Sequence, residues 1–544
     1  MRRLQLGAAA RMAVAALALH LVLALPVGLA RMDAAAFARL PLELPLLLAA
    51  LLAAAPLRWP SRLLRLALTA ALLASVLLKL ADAALLVAFA RPFNAVTDLF
   101  VLSAGLNLLT GTLGAARAAL AVGGGALGLL ALAWLLAWSM RQWSPPGVGP
   151  GLRRGAGLAA LAFAGLVALD LAGMRDGARP LPDPPGAAAT SAHALAHVSR
   201  ARGAARDLAA YRAAAATDPY ADAAGLFDRL DGRDVTVVFV ESYGRASIAN
   251  PLYAATHVPT LEAAAAELAA AGLAARSFWL TSPIEGGQSW LAHGTFASGL
   301  RTSDQARYGA MLASPRRTLY HLAGEAGYRT AAVMPAITLP WPEGARIGFE
   351  TVLAAADLNY RGAPFNWVTM PDQYTLATYG RLLGRDPARP DLVQIALISS
   401  HAPWVPIPPM IDWDAVGDGR VFDRWARSGD PPEVIWQDRD RVRDQYRQAI
   451  DYALRAVLAF VARGAGPDAP LAIVLGDHPP VPWVSQVEGR DVPIHLIGPP
   501  DAVAIFDAWG ATPGLVPGPA APVWPMEDFR DRFLDAVREG GRAR

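Results

Sequence analysis

Four short segments of the sequence carry side chains whose types suit the chemistry of a phosphate ester. Glu241 follows an apolar run in VVFVESYG, Ser289 follows Gly286 and Gly287 in SPIEGGQSWLAHGTFASGL, His401 lies in LISSHAPW, and Asp477 with His478 closes IVLGDHPP. Hard divalent ions take oxygen ligands, and zinc or manganese also accepts imidazole, so Glu241, Asp477 and His478 form a plausible ligand set with Ser289 as a fourth ligand. A helix beginning at or near Ser289 would turn its positive end toward phosphate oxygens and stabilise a serine alkoxide. A metal at the same point would lower the hydroxyl pKa and neutralise charge at phosphorus. His401 has the position of a substrate-facing donor or general acid.

Each residue taken singly has a plainer explanation. Glu241 could cap a loop, Ser289 a helix, and the histidines could be structural. The order Glu, Ser, His, Asp-His at four independent element ends is what a one-metal phosphoryl-transfer site needs. His293 falls one helical turn beyond Ser289 and could support it. Trp341, Glu343 and Arg346 in LPWPEGAR could contact a phosphate head group or form an exposed loop. His495 in VPIHLIGP reads as core.

These segments need elements that converge. Val235–Val240, Thr330–Met334, Leu392–Ile398 and Leu471–Leu475 are nearly continuous apolar runs, as expected of strands buried on both faces, and helix-like segments separate them. That alternation predicts an α/β domain with a mostly parallel central sheet, whose carboxyl-end rim collects the chemistry. We place this domain at residues 233–520, with a C-terminal helix and tail at 521–544. A Pro-rich stretch, Arg179–Gly186, and an Ala-rich region, Ala187–Ala216, form a connector over 175–232 with one or two surface helices.

The first 174 residues are of another kind. The whole chain of 544 residues is 54% hydrophobic and 17% charged with a mean hydropathy of +0.30, which excludes disorder and points to membrane segments. Runs near 11–30, 42–57, 64–89, 115–139 and 155–173 approach the roughly 20 residues a crossing needs, the second being the shortest. They predict a five-helix transmembrane domain. Leu99–Leu113, broken by Gly105, Asn107 and Gly111, reads as interfacial or re-entrant. A retained first span fits better than a cleaved signal peptide.

Residues 1–175 hold 15 Lys/Arg against 5 Asp/Glu, and the remainder 34 against 41, so the net +3 averages +10 with −7. The basic excess therefore marks topology and not nucleic-acid binding. Arg2, Arg3 and Arg11, then Arg58, Arg62 and Arg65, then Arg141, Arg153 and Arg154 fall in alternate loops, against fewer in the others, chiefly Arg31, Arg39 and Arg91. With five crossings this sets the N-terminus inside and the C-terminal region outside. The spans hold few ionisable residues, chiefly Lys79, Asp82 and Asp170, which disfavours a transporter. Cysteine is absent, which excludes thiolate metal sites and disulfides.

On these segments the chain resembles the sulfatase-like branch of the alkaline phosphatase superfamily, and within it the lipoteichoic acid synthase type of membrane phosphoglycerol transferase. Five spans followed by an extracytoplasmic sulfatase-like domain is that family's layout, and the motif similarity runs over about residues 234–498. The resemblance implies one divalent ion, Mn2+ or Mg2+ with Zn2+ as the alternative, bound by Glu241, Ser289, Asp477 and His478. It implies Ser289 as nucleophile, His401 as substrate-binding and catalytic, and Trp341 and Arg346 beside the glycerol-phosphate group. It also implies a phospholipid donor in the bilayer and a glycan or lipid acceptor. Here Ser stands where the family has Thr, the formylglycine motif of true sulfatases is absent, and the disulfides of the related phosphoethanolamine transferases cannot form. A hydrolase using the same site, or a non-catalytic envelope-assembly scaffold, are the alternatives.

Overall fold

The computed structural model describes residues 2–27, 37–89, 91–175, 186–384 and 386–540. Arg31 and most of the Pro-rich connector, 179–185, lie outside the described residues. The chain divides into two units, Met1–Asp207 and Leu208–Arg544.

The first unit is helical: α1 (Arg2–Ala24), α2 (Glu43–Ala54), α3 (Arg58–Phe89), α4 (Phe100–Leu113), α5 (Ala115–Gln142), α6 (Pro150–Arg175) and the start of α7 (Ala189–Ala215). Four of them, not five, are long and apolar enough to cross a membrane: α1, α3, α5 and α6. The expected second span forms only the 12-residue α2, about 18 Å long at 1.5 Å per residue, against a hydrocarbon core of about 30 Å. Pro41 and Pro56 bracket it and stop the helix from growing. The interrupted Leu99–Leu113 stretch becomes the 14-residue α4. Leu66, Leu120 and Leu161 are 71%, 75% and 73% exposed, a costly arrangement in water and the expected one against lipid. Leu19, Leu23, Leu47, Leu51, Leu72, Leu136 and Met140 form the interior.

The ionisable residues of this unit gather around the start of α7. Lys79 Nζ donates to Leu23 O and to Thr190 Oγ1, each at 3.1 Å. Ser191 N donates to Glu43 Oε1 and Ala188 N to Asp170 Oδ2, each at 2.8 Å. Buried charges thus satisfy the free N–H groups of the α7 N-terminus, which no apolar neighbour could do.

The second unit is a three-layer α/β domain. Its strands are β1 (Val235–Val240), β2 (Ala274–Thr281), β3 (Arg329–Met334), β4 (Thr351–Ala354), β5 (Asp391–Leu397), β6 (Leu471–Gly476), β7 (Asp491–Gly498), β8 (Thr512–Pro513) and β9 (Val523–Pro525). They form one sheet in the order β8-β2-β7-β6-β1-β5-β3-β4, with β9 beside β2. The sheet is mixed, with parallel pairings through β6-β1-β5-β3-β4 and antiparallel ones toward β8, against the mostly parallel sheet expected. The five strands β6-β1-β5-β3-β4 run parallel, whereas β7 is antiparallel to β6 and β2 antiparallel to β7.

Every residue of β1 and β6 is buried, because helices cover both faces. Val235, Val237 and Phe239 enter one core with α9 (Ser289–Ser298) and α12 (Asp528–Val537). Val238 and Val240 enter the other with α8 (Pro251–Ala270) and α11 (Arg439–Arg463). The alternation follows the two-residue period of a strand. The C-terminal helix α12 is integral to the domain, since Phe529, Phe533 and Leu534 are fully buried, each worth about 1.5–3 kcal/mol.

Candidate active site

The register brings the sequence segments together. Val240 pairs with Leu397 of β5 and with Gly476 of β6, so Glu241, the Ser399–His401 turn and Asp477–His478 leave three adjacent parallel strands at the same level. Gly476 is required there, because a Cβ would stand 1.9 Å from Tyr243 O. The turn after β1 is held from α11, where Tyr446 Oη donates to Ser242 O at 2.9 Å. Ser400 Oγ donates to Glu241 O at 2.6 Å and ties the β5 turn to β1.

Ser289 is the first residue of α9, and Gln288 before it adopts φ 68°. Gly286, at φ 71°, packs where a Cβ would press on Val481 at 2.7 Å. That compact turn delivers the hydroxyl to the rim: Ser289 Oγ donates to Glu241 Oε2 at 2.8 Å and lies 3.2 Å from His478 Nε2. His478 Nδ1 donates to Pro479 O at 2.8 Å, which leaves Nε2 to face Glu241 Oε1 at 3.2 Å. Asp477 Oδ1 accepts from Ser242 N at 2.9 Å and His478 N at 2.7 Å. One ligand atom from each of Glu241, Asp477 and His478 lies within 4.8 Å of the others.

The electrostatics fit a cation at this point. Burial opposes a charge on His478, but Asp477 and Glu241 outweigh it and raise the imidazole to about 9. Burial, followed by the neighbouring Glu241 charge, pushes Asp477 up to about 7. Burial also opposes the Glu241 charge, yet His478 holds that carboxyl well below its ordinary range. Two buried carboxylates therefore compete for one imidazolium, and a divalent ion on the same oxygen and nitrogen atoms would replace that proton. A set of two carboxylates, one imidazole Nε2 and one hydroxyl suits manganese, magnesium or zinc.

A cavity of about 440 Å³ opens over this group, with Glu241, Ser289, Asp477 and His401 on it and Trp290, Tyr308 and Trp341 among its walls. His401 is exposed, and its Nδ1 bonds Ala402 O at 2.6 Å. His293 lines the cavity but makes no bond to Ser289. It packs on Phe239 with ring centroids 4.1 Å apart, and burial lowers it to about 4, so it is a neutral wall. Arg346 is exposed on the short helix Glu343–Ile347 and is not on the cavity, whereas Glu343 is. His495 is fully buried, bonded by Ser277 Oγ at 2.7 Å and Tyr243 Oη at 3.2 Å.

Asp372, at the start of α10 (Asp372–Leu383), was not anticipated. It is fully buried, and its Oδ1 accepts from Ile398 N at 2.8 Å and Ser399 N at 2.9 Å. It thereby fixes the turn that carries His401.

No family model and no curated protein matches the sequence. Solved structures do. The chain is similar to the lipoteichoic acid synthase LtaP from Listeria monocytogenes, at 13% identity and a TM-score of 0.37 over 56% of this chain and 72% of that one. It is similar to the Streptococcus pyogenes phosphoglycerol transferase GacH, at 12% identity and 0.38 over 62% and 81%. It is also similar to the integral membrane lipooligosaccharide phosphoethanolamine transferase EptA from Neisseria meningitidis, at 14% and 0.42 over 76% of each chain. At such low identity the chemistry rests on this chain's own side chains.

Proposed function

We propose that this chain is a membrane-anchored, metal-dependent phosphotransferase that moves a phospholipid head-group phosphate, as phosphoglycerol or a similar group, through Ser289 to an envelope glycan or lipid acceptor. The observation that carries this is the 2.8 Å bond from Ser289 Oγ to Glu241, with His478 Nε2 at 3.2 Å, under a cavity open to a substrate. Glu241, Asp477, His478 and Ser289 would hold one divalent ion, Mn2+, Mg2+ or Zn2+, which when bound supplies the charge that favours a serine alkoxide and screens the phosphate oxygens.

In the first half-reaction the Ser289 hydroxyl, held against Glu241 Oε2, loses its proton to water and its oxygen bonds to phosphorus. The phosphorus–oxygen bond to diacylglycerol breaks, and the leaving oxygen takes a proton from His401. In the second, an acceptor hydroxyl gives its proton to His401 and attacks the same phosphorus, and Ser289 leaves and recovers its proton from water. The positive end of α9 faces the phosphate throughout. Incubation with phosphatidylglycerol labelled in the head group tests this. Wild type transfers label and Ser289→Ala does not; equal transfer by both would sink the assignment. Product analysis with and without an added glycan separates transfer from hydrolysis.

With the short α2 counted as a fifth, partial crossing beside the four long helices, the arginine pattern supports an inside N-terminus and residues beyond 175 on the outer face. The bonds around α7 support alternating segments: they gather the end of α1, the start of α2, the ends of α3 and α6 at one level. Residues 40–41 pair with 186–187, so the backbone flanking the short α2 is satisfied within the protein. A reporter active only outside the cytoplasm, fused after Arg175, would be active; an inactive one would overturn this topology.

A further inference from the structure

Among the described residues a second set of potential metal ligands lies in the first unit: Asp82, His193 and His197. We propose that these three side chains bind one divalent ion of the zinc type, a site separate from the catalytic one. His193 and His197 are four residues apart on α7 and so share one face of the helix. His193 Nε2 lies 2.7 Å and His197 Nε2 3.0 Å from the same atom, Asp82 Oδ2. The carboxylate is oriented for this, because Phe93 N donates to its other oxygen at 2.8 Å. Asp82 and His197 are 2% and 7% exposed.

Zinc bonds imidazole nitrogen and carboxylate oxygen at about 2.0–2.2 Å, so tetrahedral ligands stand about 3.3 Å apart. The two separations from Asp82 Oδ2 need to open by only a few tenths of an ångström to admit the ion, and all three ligand atoms lie within 4.8 Å of one another. Without it, both imidazoles must aim an N–H at one oxygen. Two cations stand nearby. Lys79 is engaged by Leu23 O and Thr190. Arg200 reaches 3.9 Å from Asp82 Oδ2, but its Nε and Nη2 have no hydrogen-bond partner and its side chain is 34% exposed, so it can swing out as the ion enters. Two histidines and one carboxylate leave a fourth position for water. Asp82 is on α3 and both histidines are on α7, so the ion would clamp the start of α7 to a membrane helix.

The test is a zinc count on the full chain in detergent, stripped with chelator and reloaded with zinc alone. The background carries Glu241→Gln and Asp477→Asn to disable the catalytic ligands. It should retain one zinc per chain, and adding His193→Gln and His197→Gln should remove it. The glutamines keep an amide able to bond Asp82, and an unchanged elution profile and circular dichroism spectrum would show that the fold survives. As a second readout, zinc should raise the thermal midpoint of the background and leave that of the glutamine variant unmoved. A background without zinc, or a folded glutamine variant that keeps it, overturns the proposal.

Discussion

Asp372 offers a test of how the His401 turn is held. In the folded chain burial raises its pKa from 3.8 to about 6, although Ile398 N and Ser399 N work against the shift. Between about pH 4 and pH 6 the native state therefore holds a proton that the unfolded state has lost. Stability from this group is full below pH 4 and falls as pH rises through 6, by about 3 kcal/mol at 1.36 kcal/mol per unit. Asp372→Asn keeps an oxygen for both N–H groups and cannot ionise, so its stability relative to wild type should improve by up to about 3 kcal/mol between pH 4 and pH 7.5. Asp372→Ala strands two buried donors, at roughly 1–3 kcal/mol each. At pH 7.5 the alanine variant should be the less stable by several kcal/mol, and it should lose transfer activity as the turn loosens. Thermal unfolding of the detergent-solubilised chain at the two pH values reads both effects. If Ala and Asn variants melt together, the two N–H bonds do not hold this turn, and the reasoning fails.

Two further substitutions probe what positions the site. Gly476→Ala places a methyl group at the 1.9 Å position against Tyr243 O, so the β1 and β6 ends must separate; bound metal and activity should both be lost, and a variant with normal metal content would refute the close approach. Arg530 is fully buried, with Nη2 2.9 and 3.0 Å from the two oxygens of Asp218. Arg530→Ala should destabilise the catalytic unit by roughly 3–5 kcal/mol by removing the buried counter-ion of Asp218, read as a lowered melting temperature, and a loss under 1 kcal/mol would contradict it.

The parts of this protein visible in its sequence are those in which a single segment carries the whole signal. β1, β5 and β6 are buried on both faces and therefore read as unbroken apolar runs, and the polar residues ending them are the ones that meet at the rim. β2 did not stand out, because Arg276 and Ser277 interrupt its run and its partner β7 is antiparallel. Strand direction depends on the connections and not on composition, so the antiparallel pairings of β7 were not legible. Asp372 serves a turn some 27 residues away, and nothing local in DQYTLATYG announces a buried carboxylate. The α2 run looked long enough because Leu42 and Ala55–Leu57 are apolar, although Pro41 and Pro56 limit the helix. Arg346 follows Trp341 closely in sequence, yet the short helix between them directs it to solvent.

The proposed reaction turns on a covalent intermediate at one hydroxyl. The direct measurement is mass spectrometry of the peptide carrying Ser289 after brief mixing with phosphatidylglycerol and a divalent ion in the absence of acceptor. A phosphoglycerol adduct should form on Ser289, disappear when acceptor is added and never form in Glu241→Gln. Product formation in the wild type with Ser289 unmodified, or an adduct on another residue, would contradict it.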